Sequence, residues 1–530
     1  MSDRVENYEE LELYYEQIAH FENLKNIFSQ GLPCAIDVSE TGAGKSYITI
    51  ALAIALGLKL FVVAPKSVCA EWSRLAEIYG VEVEAIISYD SLRMANHAYL
   101  VKTEAKTAKG ETKKLPVYKA TKTFEKEVEN GILLVFDEAH KTSNVSQQTM
   151  ACSALARAII SNETISRCIL LSATYLDRVQ QIIVSLHFLG FIQSPKLFTV
   201  VNSQEGKYVK LLGLQELIDA CEFLDKEETE RCVQEVEITD STTEENKRKI
   251  REVLPVLLFR RVVFKKIIAS MPPLIVRRKD GKPYDKKCQN VYFNIPTTRE
   301  LEEIRKAVNE LITSSGYTRT SEDVVTTNKV NWDQVTTALK KLEFSKKLIF
   351  VRAARSALEK SRRGKVIIAV HYLNTVEYLK EEFQDMCEVL TGDTQEEERE
   401  EIIRNFQKRG GKRILIMTVK VGGVGLSFHD IHGNSPRTLI ASLGYSYKDM
   451  HQLSGRIYRR GVKSDAHIIC PFANAKGCVE VKILKTLAEK KNIHEMLIVR
   501  KEHALPGEYE DVDENGEPVD LDNLPNPLDV

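Results

Sequence analysis

Apolar residues in this chain gather in short unbroken runs rather than alternating with polar ones. The first series is "CAIDV" (34–38), "KLFVVAP" (59–65), "AIISY" (85–89), "ILLVFDEAH" (132–140) and "CILLSAT" (168–174). Continuous apolar strands predict a parallel sheet covered on both faces, with helical patterns filling the intervals. A second series repeats the rhythm: "KVIIAVH" (365–371), "CEVLTG" (387–392), "RILIMT" (413–418), "TLIAS" (438–442) and "AHIIC" (466–470). The chain is therefore expected to be α/β, with two parallel-sheet lobes in tandem. Between them lies a stretch rich in charge and helix formers, such as "EENKRKIREVLPVLLFRR" and "RELEEIRKAVNELI". The expected division is 1–200 for the first lobe, 201–345 for a helical linker or insertion, 346–505 for the second lobe and 506–530 for an acidic, disordered tail.

Charge changes this picture in one respect. The formal net charge is -1, with no overall basic signature. The segment "EYEDVDENGEPVDLDNLPNPLDV" carries nine acids and no bases, and without it the body is basic by roughly eight charges, enough for a local nucleic-acid track. A lysine-rich stretch, 101–127, reads as a solvated loop with a nucleic-acid or partner contact as the alternative; it and the tail are the candidate protein-partner segments. The 10 cysteines form no C-x-x-C pair and read as reduced, buried thiols, which disfavours a zinc site. "DVDENG" (511–516) starts like a calcium loop, but Pro518 interrupts it. No apolar run approaches the ~18 residues of a membrane span, and the acidic start lacks a secretion signal. An intracellular, non-secreted protein without membrane partners is expected.

The chemistry begins at "SETGAGKS". A phosphate cradle needs inward-pointing backbone N–H groups, hence residues that tolerate unusual dihedrals. Thr41, Gly42, Ala43 and Gly44 form that loop; Lys45 is placed to reach the β- and γ-phosphates, and Ser46 offers a hydroxyl to Mg²⁺. Ser39 occupies the first glycine position of the strict pattern. In "LLVFDEAH" an apolar strand delivers two acids to a sheet edge. Asp137 is the candidate Mg²⁺ holder and Glu138 the candidate that orients or deprotonates the attacking water. The adjacent acids point to a hydrolase that uses water, rather than to a kinase or a switch GTPase. One strand later, Ser172 and Thr174 are expected to bond to the acidic pair and report nucleotide state. In "QLSGRIYRRG" (452–461), Arg456 and Arg459 lie three apart, predicted on one helix face. Their guanidinium forks suit transition-state phosphate charge, as arginine fingers in cis if the two blocks face each other.

With these residues in order, the chain resembles superfamily-two helicase-type ATPases, and among them the compact Swi/Snf-like DNA translocases. "SETGAGKS" and "DEAH" match motifs I and II; "VVAPKSVCAEW" (62–72) looks like motif Ia, and "ISYDSLR" (87–93) like the segment after it. "LLSATYLDRVQQIIVSLHFLGFI" is similar to motif III, although many Swi/Snf members carry Gly-Thr-Pro there. "LLFRRVVFKKIIASMPPL" (257–274) resembles the linker, with Met271 in place of Leu. "LTGDTQEEEREEIIRNFQ" (390–407), "MTVKVGGVGLSFHD" (417–430) and "QLSGRIYRRG" resemble the later motifs through V and VI. In that pattern the position of Ser39 is commonly a small residue. No bromodomain, chromodomain or zinc module is visible in the sequence.

The resemblance implies two RecA-like lobes closing on ATP and Mg²⁺, and a monomeric motor on nucleic acid, DNA favoured over RNA. It makes Gln17 the candidate adenine reader and adds Gln452 to the coupling residues. Lys66, Ser67, Thr418, Gly422 and Gly423 become candidate contacts to backbone phosphates. The leading expectation is duplex translocation with remodelling of protein–DNA complexes, because no wedge element for strand separation is visible. A strand-separating DNA or RNA helicase is the alternative, and a non-catalytic nucleic-acid clamp a third reading.

Overall fold

A computed structural model describes residues 13–525 apart from 96, 104–115, 196, 198, 204–205, 211, 238–242, 273–274, 279, 296, 315–316, 320–323, 327–331, 423–425 and 499–505. The core of the lysine-rich stretch, the tip of the tail and Gly423 lie outside the described residues. The chain divides into two units: Met1–Leu274 with Ile493–Lys501, and Ile275–Asn492 with Glu502–Val530.

The strands of the first unit are β1 (Cys34–Asp37), β2 (Lys59–Ala64), β3 (Val83–Ser88), a hairpin of β4 (Leu100–Thr103) and β5 (Val117–Ala120), β6 (Ile132–Asp137), β7 (Arg167–Leu171), a hairpin of β8 (Thr199–Ser203) and β9 (Gly206–Lys210), and β10 (Ile268–Ala269). Six of them form a parallel sheet in the order β10-β1-β7-β6-β2-β3. The unbroken apolar runs follow from the burial of both sheet faces. Phe61, Val63, Leu134, Phe136 and Leu170 point into one core, with the helix Gln147–Ile160 packed there. Their neighbours Leu60, Val62, Leu133, Val135, Ile169 and Leu171 point into the other, under α1 (Tyr15–Ser29), α2 (Lys45–Leu56) and α3 (Lys66–Ile78).

The region 201–345 differs from the separate helical linker expected. Its helices are present, but they are shared between the units. The helical stretch ending at Ile267 packs Leu254, Leu258, Phe259 and Val262 into the first unit's core, and it delivers β10 to the edge beside β1. Two apolar residues, Ile268 and Ala269, suffice to extend the sheet because they pair with Ile36 and Asp37.

The second unit contains β11 (Lys286–Phe293), a hairpin of β12 (Tyr317–Arg319) and β13 (Val324–Thr326), β14 (Lys365–Val370), β15 (Cys387–Leu390), β16 (Ile414–Thr418), β17 (Arg437–Ala441), β18 (Ala466–Ala473) and β19 (Glu510–Asp513). Its sheet is parallel, in the order β15-β16-β14-β17-β18-β11-β19. The last strand corrects the expectation of a disordered acidic tail. Glu510–Asp513 adds to β11 because Tyr509 and Val512 supply buried apolar anchors. The acids are used as acceptors: Asp511 Oδ1 takes the Asn290 side-chain N–H at 3.0 Å and the Tyr292 hydroxyl at 2.9 Å. Asp513, from the calcium-like segment, accepts the backbone N–H groups of Asn515 and Glu517 and so closes a turn. No helix among the described residues is long and apolar enough to cross a membrane.

Candidate active site

The phosphate loop leaves β1 at Asp37 and enters α2 at Lys45. Gly42 and Gly44 have φ of 80° and 93°, the left-handed region that favours glycine. A Cβ on Gly44 would lie 2.1 Å from Gln17 Nε2, so any other residue here would displace the Gln17 amide in addition to straining the dihedral. Thr41, Gly42 and Ser46 are half-buried and Ala43 is buried, with Ser46 in the first turn of α2. The Lys45 ammonium rests on two carbonyls of its own loop, Ser39 O at 2.8 Å and Glu40 O at 3.0 Å. Backbone acceptors hold a cation without neutralising it, so the lysine charge remains available to an anion at the N-terminal end of α2.

α1 brings Gln17 to this loop. Its Nε2 donates to Ala43 O at 2.8 Å, and its Oε1 accepts the Tyr14 N–H at 2.9 Å. One turn along, buried His20 places Nε2 3.1 Å from Asp37 Oδ2. Burial pushes the Asp37 carboxyl up, but His20, with help from Lys45 and Ser39, outweighs that and holds it at about 2. His20 and Asp37 were not anticipated from sequence. The only available signal was that His20 follows Gln17 at helical spacing, which any helix supplies.

Asp137 ends β6, and three groups fix it. Trp72 Nε1 donates to Oδ2 at 2.9 Å, the Glu138 N–H to Oδ1 at 2.9 Å, and the Tyr89 hydroxyl to the backbone carbonyl at 2.8 Å. Desolvation, then the neighbouring Glu138 charge, pushes the Asp137 carboxyl up to about 6, against the opposing effects of Trp72 and Lys45. Two crowded carboxylates of this kind form a donor set that a divalent cation would relieve. Glu138 has φ of 55°, a left-handed conformation unusual outside glycine. It turns its carboxylate toward His140, with Oε2 3.2 Å from Nδ1. The residues therefore fit a nucleotide triphosphate with Mg²⁺: a glycine cradle, a lysine resting on exchangeable acceptors and an acidic pair at the sheet's carboxyl edge.

The link from the acidic pair to Ser172 differs from the expectation. Ser172 Oγ lies 3.2 Å from His140 Nδ1, so the histidine intervenes between Glu138 and Ser172. The backbone N–H of Thr174, not its side chain, donates to Ser172 Oγ at 3.3 Å, and its buried hydroxyl makes no hydrogen bond among the described residues. The histidine of "DEAH", His140, is thus in contact with both Glu138 and Ser172.

Lys66 and Ser67 open α3 directly after β2, Lys66 exposed and Ser67 half-buried. In the second unit, Thr418 ends β16, and the helix Val419–Gly422 follows it. The helix Tyr447–Ile457 buries Gln452 and Arg456. Arg459 does not share that helix face, because the helix ends at Ile457 and Tyr458 is extended. The two guanidinium groups meet nonetheless: Arg456 Nη1 donates to Leu426 O at 3.1 Å, Arg459 Nη1 to the same oxygen at 3.4 Å, and Arg459 also bonds Ser427 Oγ.

Residues 10–177 match the family described as Type III restriction enzyme, res subunit, and residues 340–461 match the helicase conserved C-terminal domain. A protein of Acanthamoeba polyphaga mimivirus that carries the name of an ATP-dependent RNA helicase is 25% identical over 438 residues, covering 81% of this chain and 73% of that protein. Among solved structures, the Sulfolobus solfataricus SWI2/SNF2 ATPase core in complex with dsDNA aligns with a TM-score of 0.28 at 16% identity, covering 92% of this chain and 93% of that one. S. cerevisiae Dbp5 bound to RNA and ADP BeF3 aligns with a TM-score of 0.41 at 12% identity, covering 93% and 99%. The two domain matches and the relative identify the chain as an ATP-hydrolysing enzyme of the helicase and translocase type.

Proposed function

We propose that this ATP-dependent nucleic-acid motor is a Swi/Snf-like enzyme that acts as a monomer, translocates on duplex DNA and remodels protein–DNA complexes. Support for the duplex-DNA reading comes from the ordered segments 62–72, 87–93 and 257–274 and from the lack of any sequence signature for a wedge. The observation that carries the hydrolytic reading is the Asp137–Glu138 pair at the end of β6, with the Lys45 charge close enough to temper Asp137.

When bound, MgATP supplies a phosphoanhydride bond whose cleavage drives the motor. Gln17 reads the base beside the loop. Thr41 to Gly44 would present backbone N–H groups to the phosphates, Lys45 would turn from its two loop carbonyls toward the β- and γ-phosphates, and Ser46 and Asp137 would hold the Mg²⁺. Glu138 orients the attacking water and takes its proton as the bond to the leaving ADP breaks. Arg456 and Arg459 stabilise the charge that develops. His140 and Ser172, with Thr174 and Gln452, carry nucleotide state onward, and Lys66, Ser67, Thr418, Gly422 and Gly423 contact the nucleic-acid backbone.

A second reading, a strand-separating RNA helicase, draws on the name of the mimivirus relative. Triplex displacement measured beside unwinding of forked DNA and RNA duplexes tests the choice. Triplex displacement without unwinding is expected; RNA unwinding without triplex displacement would replace the first reading with the second.

A further inference from the structure

Ser39, the residue at which the loop departs from the strict glycine pattern, is fully buried and bonded on several sides. Its carbonyl accepts from Lys45 Nζ at 2.8 Å. Its hydroxyl accepts the backbone N–H of Met271 at 2.9 Å. Its own N–H donates to Asp37 Oδ1 at 2.8 Å. His20 closes the group from α1, with Nε2 3.3 Å from Ser39 Oγ and 3.1 Å from Asp37 Oδ2. Met271 comes just after β10, whose Ala269 carbonyl accepts the Val38 N–H at 2.9 Å. The first unit gives way to the second at Leu274.

We propose that Ser39 is a positioning residue that couples the phosphate site to the segment joining the two units. The proposal rests on the nucleotide reading above. Phosphates that draw the Lys45 ammonium toward themselves would pull it off Ser39 O and Glu40 O and release those carbonyls. The peptide of Ser39 then re-orients, and its hydroxyl carries the Met271 N–H. That N–H lies in a region sealed from water, where a donor separated from its acceptor is costly. The joining segment must follow Ser39 or lose the bond. A glycine at position 39 would allow the same loop but would offer no hydroxyl, so the departure from the pattern is what creates the link. His20 and Asp37 brace Ser39 from the opposite side and limit how it can move.

The test uses the full chain with Ser39→Ala and Ser39→Gly, both of which lack the hydroxyl. Three quantities are measured: affinity for a fluorescent ATP analogue, hydrogen exchange of 264–272 with and without a non-hydrolysable ATP analogue, and nucleic-acid-stimulated ATPase. Both variants should bind the analogue within about twofold of wild type yet lose about tenfold of the stimulated rate, within the range typical of coupling between sites. In wild type the analogue should alter exchange at 264–272, and in the variants it should not. Variants that keep the wild-type exchange response, or that lose affinity and rate in equal proportion, would overturn the proposal. A wild-type protein that fails to bind the analogue would overturn the nucleotide reading, and this proposal with it.

Discussion

The indole N–H of Trp72 donates to Asp137 Oδ2 at 2.9 Å. α3 therefore holds the carboxylate that ends β6, and the neighbouring Glu138 N–H holds its other oxygen. Trp72 is almost fully buried, so its bond is not exchanged for water.

Trp72→Phe removes this donor and keeps most of the ring. The expected result is an apparent Mg²⁺ requirement for ATPase raised about 10- to 100-fold, the range for loss of one hydrogen bond to a charged group. The acid limb of the pH–rate profile should also move up, because the lost bond favoured the charged form of Asp137. Mg²⁺ titrations at several pH values provide the check.

Asp137 also sets a stability prediction. Its folded pKa is raised to about 6, so its ionised form strains the fold. That penalty is fully present above the folded value and is relieved as pH falls through it toward the unfolded value. Metal-free Asp137→Asn cannot titrate and its amide oxygen can accept only one of the two N–H groups of Trp72 and Glu138. Its melting temperature should therefore vary less than that of wild type as pH falls from neutral through about 6, which melting curves across that range will show.

Glu138→Gln keeps shape and removes the base. A fall in kcat of about 10²–10⁴-fold is expected, with nucleotide binding retained. Steady-state rates and analogue titration on the same preparation separate the two quantities. Hydrolysis at the wild-type rate would remove Glu138 from the mechanism.

The two arginines should behave differently under conservative change. Arg459→Lys should lower kcat by about 10²–10³-fold with little effect on KM for ATP. Arg456→Lys should do the same and also lower the melting temperature, because Arg456 is buried at the helix end and braces Leu426 O. Kinetics and melting measured together distinguish a catalytic from a purely structural loss.

Deleting residues 506–530 removes β19 and exposes the unpaired edge of β11. Bare strand edges pair with other chains. The truncated protein should melt lower and aggregate on heating, as light scattering will detect, while the phosphate loop stays intact.

The two sheets were legible because burial on both faces leaves unbroken apolar runs, and the glycine loop and acidic pair of the candidate site stood out because phosphate chemistry demands particular residues at fixed spacing. Sequence was less informative where one residue decides the structure. β10 is two residues long and reads as the end of a helix. β19 sits in an acidic segment whose charges hide its anchors, Tyr509 and Val512. Arg459 was placed on a helix because spacing carries no sign that the helix stops at Ile457. His20, Trp72 and His140 act through partners distant in sequence or through side-chain direction, and neither leaves a periodic trace.

The most direct test of the central claim is the ATPase rate of the full chain measured with duplex DNA, with single-stranded DNA and with RNA at one salt concentration. Stimulation greatest with duplex DNA is predicted. Equal rates with and without all three nucleic acids would contradict the motor itself.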